Sequence, residues 1–441
     1  MTPILDELVG AAVEFARRPL PNHVRDQAAL LVADTLGVML AAGRRPESVA
    51  LVDGDDLTGS WRLAPSGAGP MARFMTAGGG WGAPDRAAYV NATVTCALEL
   101  DEGVRPTGHP SAHVLPAALA AAEVVDASWP ELLTAFTAGY EVAAGLFDAL
   151  RLRAPTHPHG HLGAAGAAVA VALLTGDDPL EMARAAATIP LLTTWAPCLE
   201  GANVRNTWAG HAASAGVLAR RLVRAGFRGS PSSYEAAFDG LVGDRVEVDP
   251  ALVGTRVTGG YVKLYSACAI THSAIEAALK LRPHVLADGT LDAGAAVRVA
   301  VNANSLKTAA QPGATDLSRR FSIPYAVAVA LLRGDADRAR YDEPDPEALD
   351  LARRVTVVED PAATAAWPRL APATVTVGAN DGLVRTAHVD DAYGHPGNPA
   401  AVSAVRAKFT SLTGLDADVW DRLTAPAPTL PVRAGLDLLT G

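Results

Sequence analysis

The feature that most constrains this chain is a charged segment of eleven residues enclosed between apolar ones. It contains three carboxylates, a guanidinium and an imidazole, at Glu99, Asp101, Glu102, Arg105 and His109. Alanine-rich apolar sequence flanks it over residues 90–98 and 114–125. Charges between buried helices are costly unless they are paired or bind a ligand, so the segment is a candidate functional site. A helix–helix loop with solvated charges and a capping histidine is the alternative interpretation.

The end of this segment predicts a helix that begins at Pro110. Proline suits the first helical position, because its missing N–H would have had no partner there. His109 then lies at or just before the N-cap. The positive end of the helix dipole favours a neutral imidazole, which is the form that a general base needs.

The length of 441 residues is too great for one simple core and predicts two domains. The hydrophobic content of 49% comes largely from alanine and aromatic residues supply only 5%, which favours packed helices over sheet. The sequence therefore predicts a mainly α protein, with a large all-helical domain over residues 1–258 and a smaller α+β lid domain over residues 259–404. Residues 405–441 are helical again and are expected to rejoin the helical domain.

Local patterns predict the individual elements. Apolar periodicity predicts helices from Asn22 toward Gly43 and over residues 86–98, 110–125, 129–150, 162–175, 179–193, 206–225, 271–282, 321–333 and 402–412. Alternation predicts strands that begin near residues 295, 355, 373 and 383, with a hairpin turn at Asn380-Asp-Gly382. The segment 52–83, rich in glycine and proline, is interpreted as a long surface excursion without assigned structure.

Charge and cysteine usage exclude several classes of protein. The net charge of −10 and the lack of a basic run argue against a nucleic-acid partner. The apolar run over residues 162–174 is too short to span a membrane, and the acidic N-terminus lacks a signal-peptide core, so we expect a cytoplasmic protein without a membrane partner. Cys96, Cys198 and Cys268 lie far apart, which indicates a reducing compartment and no zinc or iron–sulfur site.

Two further polar clusters lie at predicted helix starts. His157-Pro-His-Gly-His161 allows a metal site as one interpretation, but interleaved carboxylate ligands are missing. Its glycines would instead let a helix N-terminus approach an anion. Arg205 opens a long helix and is either a clamp for a carboxylate or a surface arginine.

A last cluster, Lys263-Leu-Tyr265-Ser-Ala-Cys268-Ala-Ile-Thr271-His272, lies where the helical pattern gives way to the strand-bearing one. Clefts between domains favour active sites. Lys263 can bind a carboxylate or, if desolvated, carry a proton. Cys268 and His272 are spaced as a thiol–imidazole pair on a helix, or else Cys268 is a buried structural cysteine before a Thr-His helix start.

Taken in order, these clusters resemble the MmgE/PrpD family over nearly the whole chain. The resemblance includes His109-Pro-Ser, Gly139-Tyr-Glu-Val-Ala, His157-Pro, Lys263-x-Tyr-x-x-Cys-x-x-Thr-His272, Phe321-Ser-Ile-Pro and Gly394-x-Pro-Gly-Asn-Pro399. It implies a large helical domain, a smaller α+β lid and a homodimer. It also implies small polycarboxylic acids as substrates, with no metal and no organic cofactor in catalysis.

Positions carried over from the family suggest site residues. His109 matches the family's active-site histidine, and Glu99 and Asp101 match the first two acids of an Asp-x-Asp-Asp motif. His157 and Lys263 match other polar residues of its pocket. The departures are Gly103 in place of a common Thr or Ser, Arg205 in place of lysine, and Trp208 in place of histidine.

The resemblance implies a cofactor-independent lyase, a dehydratase or decarboxylase, that removes a proton or carbon dioxide next to a carboxylate. We expect His109 or Lys263 to carry the proton and Glu99 to orient one of them. The expected substrate-binding residues are Arg205, His157, Arg105, Asp101, Tyr265 and Cys268. An isomerase or epimerase is the alternative, favoured by the missing hydroxyl at Gly103. A non-catalytic binding relative is a third, against which His109 and Lys263 argue.

Overall fold

The computed structural model describes residues 3–54, 59–63, 69–160, 162–189, 191–239, 241–287, 290–291, 294–378 and 383–440. Their buried apolar side chains form two large cores. One core draws on residues 4–264 and 400–439, and we call these parts of the chain the helical body. The other draws on residues 265–389, and we call residues 265–399 the lid. The prediction of a mainly α protein is confirmed, while domain boundaries at residues 258 and 404 remain a prediction.

The helices of the body precede the lid, except for three at the C-terminus. They are α1 (Ile4–Ala16), α2 (Asn22–Ala42), α3 (Pro46–Asp53), α4 (Pro84–Thr95), α5 (Pro110–Val125), α6 (Trp129–Asp148), α7 (Gly163–Thr175), α8 (Pro179–Ala187), α9 (Ala196–Glu200), α10 (Thr207–Arg224) and α11 (Ser233–Phe238). Two short antiparallel pairs accompany them, β1 (Ala72–Arg73) with β2 (Trp81–Gly82) and β3 (Leu150–Leu152) with β4 (Gly243–Arg245).

The lid follows with helices and strands interleaved. Its elements are α12 (His272–Val285), β5 (Leu286–Ala287), β6 (Thr290–Leu291), β7 (Ala296–Val301), α13 (Asp316–Arg320), α14 (Ile323–Arg333), α15 (Ala339–Asp342), α16 (Pro346–Ala352), β8 (Val355–Glu359), α17 (Pro361–Ala366), β9 (Ala373–Gly378) and β10 (Val384–Val389). The chain then returns to the body through α18 (Val402–Thr413), α19 (Ala417–Thr424) and α20 (Val432–Thr440).

Close packing of α5, α6 and α7 forms the centre of the body. Gly139 on α6 faces Gly166 on α7, and a Cβ on Gly139 would lie 2.5 Å from the carbonyl oxygen of Gly166. Only glycine permits this approach, so the two helices pack backbone to backbone. Helix α6 is fixed at its start by a capping box, in which Ser128 accepts from the N–H of Glu131 and the Glu131 side chain accepts from that of Ser128.

The four strands predicted in the lid form one sheet with the order β10-β9-β7-β8. Strands β7 and β8 run parallel, whereas β9 is antiparallel to both β7 and β10. The parallel pair was not predicted, because the alternation of a single strand does not reveal the direction of its neighbour. The hairpin turn predicted at Asn380-Asp-Gly382 lies outside the described residues.

Two further predictions differ from the structure. The helix expected over residues 179–193 ends at Ala187, two residues before the exposed Ile189. The excursion over residues 52–83, of which residues 55–58 and 64–68 are outside the description, contains the short strands β1 and β2.

Helix α18 returns the chain to the body and supports the charged segment. Its Lys408 Nζ lies 2.8 Å from Asp34 Oδ1 on α2 and donates to the carbonyl oxygen of Leu100 at 2.9 Å. The lysine therefore connects the C-terminal helix, α2 and the start of the segment in one buried contact.

Within the described ranges, no individual helix has the length and apolarity of a membrane span. Helices α2 and α3 reach that length and composition only when they are taken together, and they are bent by 84° relative to each other.

Candidate active site

A cavity of about 360 Å³ lies between the body and the lid. The body contributes residues of the charged segment and of the His157 cluster. The lid contributes Cys268, Asn304, Lys307, Phe321, Trp367 and His395, among others. A small apolar cluster that joins Cys198 of the body to Phe321 of the lid packs beside it. The site thus depends on both parts of the chain.

His109 occupies the N-cap position of α5, as predicted, without a capping hydrogen bond from its side chain. Its Nδ1 lies 2.9 Å from Asp101 Oδ2 and 2.6 Å from the carbonyl oxygen of Glu102. Both neighbours accept, so Nδ1 carries a hydrogen and donates it. Nε2 has no hydrogen-bond partner among the described residues, and His109 lines the cavity. In its neutral form this imidazole presents an unprotonated Nε2, as a general base requires.

Two carboxylates and two cations form a buried cluster beneath His109. Lys263 Nζ donates to Glu99 Oε2 at 3.2 Å and to Asp101 Oδ1 at 3.0 Å. Arg205 pairs with the other oxygen of Glu99, Oε1. Burial alone would lower the pKa of Lys263, but the neighbouring groups, with the Asp101 charge first among them, outweigh burial and raise it, which favours the ammonium form. The cluster is therefore electrically balanced.

The backbone of Glu99 is unusual at this point. Its φ of 51° lies in the left-handed region, which costs a residue with a Cβ about 1–2 kcal/mol. The charged segment begins here, with the Glu99 carboxylate held by Lys263 and Arg205. Strain of this kind occurs at functional sites when the surrounding contacts fix it.

Contacts inside the cluster bear on two predicted roles. Glu99 is predicted to orient His109 or Lys263, and the structure brings it to Lys263. The carboxylate that contacts His109 belongs to Asp101, a residue predicted to bind substrate. Arg205 was expected to be a substrate clamp, but its guanidinium is buried, paired with Glu99 and placed 5.1 Å from the Phe321 ring. A single sequence does not reveal which of two nearby acids meets which base.

Arg105 also lines the cavity, but it is engaged within the protein. Its guanidinium donates to both carboxylate oxygens of Asp391 and to His395 Nδ1 at 2.8 Å. Because arginine only donates, His395 Nδ1 is the acceptor and Nε2 carries the hydrogen. Nε2 lies 3.3 Å from His272 Nδ1, whose other nitrogen donates to the Ala267 carbonyl oxygen at 3.0 Å. This chain of contacts connects the charged segment to the lid.

Of the two described histidines of the His157 cluster, His159 lies against His109 and His157 lies against His159, whereas His161 is outside the described residues. The His159 ring stacks on His109 with 4.5 Å between centroids. Burial, followed by the neighbouring histidines, holds the pKa of His159 well below its usual value, so this ring is neutral. His157 Nδ1 accepts from the His159 N–H at 3.2 Å, and the His157 ring packs against Trp195 and Trp208. Both histidines line the cavity, as predicted for His157 alone.

One group of potential metal ligands is present among the described residues. Atoms of Cys96, Asp101 and His159 lie within 4.8 Å of one another and are buried. Lys263 already donates to this Asp101 carboxylate, and burial raises the pKa of the Cys96 thiol, which disfavours the thiolate that a metal needs. The prediction of a metal-free site remains a prediction.

Tyr265 and Cys268 differ in their position relative to the cavity, because Cys268 lines it and Tyr265 does not. The Tyr265 hydroxyl lies 3.4 Å from Glu276 Oε1 within the lid, and Tyr265 is not among the cavity-lining residues, so its substrate contact stays a prediction. Cys268 lines the cavity, but burial raises the pKa of its thiol. Because both ring nitrogens of His272 have other partners, the thiol–imidazole interpretation is not supported.

The cavity wall also contains residues that the sequence interpretation missed, including Arg151, His159, Tyr261, Lys307 and His395.

Five lysines and arginines line the cavity among the described residues, and three of them are ion-paired: Arg105, Arg205 and Lys263. Arg151 and Lys307 form no ion pair with any described residue. Lys307 Nζ donates to Asn304 Oδ1 at 2.7 Å and lies 4.8 Å from the Trp195 ring centroid. Nothing but its position in the fold distinguishes Lys307 from a surface lysine.

Sequence comparison places the chain among known proteins. The N-terminal domain of MmgE/PrpD matches residues 6–243, and the C-terminal domain matches residues 265–421. Cis-aconitate decarboxylase of Homo sapiens is 24% identical over 75% of this chain and 74% of its own length. Cis-aconitate decarboxylase of Aspergillus terreus is 25% identical over 93% of this chain and 89% of its own length. The chain belongs to the MmgE/PrpD family.

Proposed function

We propose that this protein is a lyase that acts on a small polycarboxylic acid and needs no cofactor. The observation that carries the proposal is His109, whose Nδ1 is held by Asp101 and whose Nε2 lacks a partner among the described residues at the cavity. A base in this position, beside the ammonium of Lys263, suits the removal of a proton next to a carboxylate.

The chemistry follows from these two groups. In a dehydration, His109 Nε2 takes the proton from the carbon next to the carboxylate, and the electron pair of that C–H bond forms the new double bond as hydroxide leaves. In a decarboxylation, the C–C bond to the carboxylate breaks, and the electron pair left behind accepts a proton from His109. Lys263 supplies positive charge close to the developing anion in both cases.

The unpaired cations support a substrate with more than one carboxylate. The inner cluster is balanced, since Glu99 and Asp101 offset Arg205 and Lys263. An additional negative charge on the substrate would therefore be met by Arg151 from the body and Lys307 from the lid. A tricarboxylic acid fits this distribution, with one carboxylate at the reacting end and another near Lys307.

Between the two lyase reactions, the names of the relatives favour decarboxylation. Both relatives described above are cis-aconitate decarboxylases, although their identity to this chain is low. An isomerase or epimerase is the second candidate. The missing hydroxyl at Gly103 favours it, but a Cβ there would lie 2.4 Å from the Tyr261 hydroxyl, which brings a hydroxyl group to that place.

The test is incubation of the purified protein with cis-aconitate, citrate and 2-methylcitrate, each in heavy water, followed by NMR. Loss of carbon dioxide or formation of a new alkene supports the lyase. Deuterium exchange without a new product indicates the isomerase. Binding of all three acids without exchange or product would contradict both and leave a non-catalytic relative. The predicted homodimer is tested separately by sedimentation of the same preparation.

A further inference from the structure

The Tyr261 hydroxyl is a polar group of the cavity wall that the chemistry above leaves unused. Tyr261 is only 7% exposed and lines the cavity, yet its hydroxyl takes part in none of the hydrogen bonds among the described residues. A phenol hydroxyl normally has a hydrogen-bond partner. Because the Tyr261 hydroxyl oxygen is not among the fully buried atoms that lack one, it is open to the cavity, where a ligand can accept from it.

Gly103 provides the space that this hydroxyl occupies. The two residues are joined through their backbones, since Tyr261 N donates to the Gly103 carbonyl oxygen at 2.8 Å and Gly103 N donates to that of Tyr261 at 3.1 Å. A Cβ on Gly103 would lie 2.4 Å from the Tyr261 hydroxyl oxygen and 2.5 Å from Cζ. Any other residue at position 103 would therefore displace the phenol.

The tyrosine ring is held in place by its other neighbours. It stacks on His395 with 4.5 Å between centroids and 13° between planes, and Arg105 fixes His395 through Nδ1. A donor held in this way needs little reorganisation when charge develops on a substrate. Burial also raises the pKa of Tyr261, despite the opposing charges of Lys263 and Arg105, so the hydroxyl keeps its hydrogen and acts as a donor.

We propose that Tyr261 is a catalytic residue whose hydroxyl donates a hydrogen bond to the substrate oxygen that gains negative charge during the reaction. The proposal rests on the proposed function and deepens it. The O–H bond stays intact, so the proton that moves is still the one that His109 carries. Lys263 provides a positive charge near the anion, and Tyr261 provides a hydrogen-bond donor directed at its oxygen.

Kinetics of Tyr261→Phe test the proposal, with the acid that the wild type converts. Loss of one such donor is expected to lower kcat roughly 10²-fold while KM changes little. The ring and its stacking on His395 remain, so the thermal midpoint should stay close to that of the wild type. An unchanged kcat in a folded Tyr261→Phe variant would overturn the proposal.

Gly103 offers an independent variant. Gly103→Ala should lower kcat by displacing the phenol, and in a Tyr261→Phe background it should cause little further loss, because the hydroxyl is already gone. Gly259→Ala is the matched control, since a Cβ at Gly259 meets no atom within 4 Å. Additive losses in the double variant would contradict a shared hydroxyl.

A binding measurement separates this proposal from the proposed reaction. The eight tyrosines are labelled with ¹³C at Cζ, and Tyr261→Phe identifies the resonance of Tyr261. Titration with tricarballylate, a saturated tricarboxylate, should shift that resonance. If the resonance shifts but the protein converts none of the acids, the proposed lyase activity is contradicted, while the contact between Tyr261 and the ligand is supported. Turnover without a shift and with normal Tyr261→Phe kinetics would overturn the role of Tyr261 alone.

Discussion

Asp101 connects the imidazole of His109 to the ammonium of Lys263. Its Oδ2 lies 2.9 Å from His109 Nδ1, and its Oδ1 accepts from Lys263 Nζ at 3.0 Å. Burial opposes the carboxylate charge, but Lys263 and then His109 outweigh it and lower the pKa of Asp101. This one ionised group thus holds the position of the cation and, together with the Glu102 carbonyl oxygen, the tautomer of the proposed base.

Asp101→Asn should lower kcat by roughly 10²- to 10⁴-fold, because it removes the negative charge that stabilises His109 when this imidazole is protonated. Steady-state kinetics on the converted acid measure this effect. The matched control is Asp126→Asn, at an exposed helix end with a φ of 55° that asparagine tolerates. A kcat within threefold of the wild type would show that Asp101 does not position the base.

Arg205→Met should destabilise the fold rather than act only on substrate binding. It leaves the buried Glu99 with Lys263 as its remaining cation, and breaking a buried ion pair costs about 3–5 kcal/mol. Chemical denaturation gives the free energy of unfolding. The double variant Glu99→Gln/Arg205→Met should recover part of the loss, because no unpaired charge remains. Equal stability of Arg205→Met and the wild type would contradict the buried pair.

Lys307→Met should raise KM for a tricarboxylic acid about tenfold and leave kcat within a few-fold, because it removes a cation that meets the second carboxylate. The effect should shrink at high salt, since the cation lies at the cavity wall and is screened. Lys280→Met on the exposed side of α12 is the control, with no expected change. If both variants show the same KM as the wild type, Lys307 does not contact substrate.

Glu102 predicts how stability depends on pH. Its carboxylate is fully buried, accepting from the Tyr140 hydroxyl at 2.6 Å and from Ser111 N at 2.9 Å, and burial raises its pKa from 4.5 to about 7. A raised pKa means that the folded state binds this proton more tightly than the unfolded state does. The stability contributed by the protonated Glu102 carboxyl group is therefore fully present below pH 4.5 and is lost as pH rises through 7.

Glu102→Gln should therefore gain stability relative to the wild type as pH rises from 5 to 8, by up to about 3 kcal/mol. Urea unfolding at several pH values measures the difference. The exposed Glu343→Gln serves as the control and should show a constant difference. A constant difference for Glu102→Gln as well would mean that Glu102 has no raised pKa.

The helices and the lid strands were largely predictable because each leaves a local pattern. Proline in the first helical turn marked the starts of α5 and α6 correctly, and alternation located β7 to β10. The parallel pairing of β7 with β8 and the early end of α8 depend on tertiary contacts, which a local pattern does not contain.

The candidate site was predictable in its residue types but not in its pairings. The charge density of residues 99–109 and the position of Lys263 indicated a part of the chain that lines the cavity between the body and the lid. No local pattern reveals that Asp101, and not Glu99, contacts His109, or that the backbone of Glu99 is left-handed. The place of Tyr261 against Gly103 depends on a contact between residues 158 positions apart in the sequence, and no motif signals it.

The most direct test of the account is the reaction in heavy water, run with the wild type and with His109→Gln on the same acids. We expect the wild type to convert at least one acid and to place deuterium at the carbon to which His109 gives, or from which it takes, the proton. His109→Gln should bind that acid and lose roughly 10²-fold or more of the turnover and of the deuterium incorporation. Undiminished turnover by a folded His109→Gln variant would contradict the central claim, because the proton would then be carried by another group.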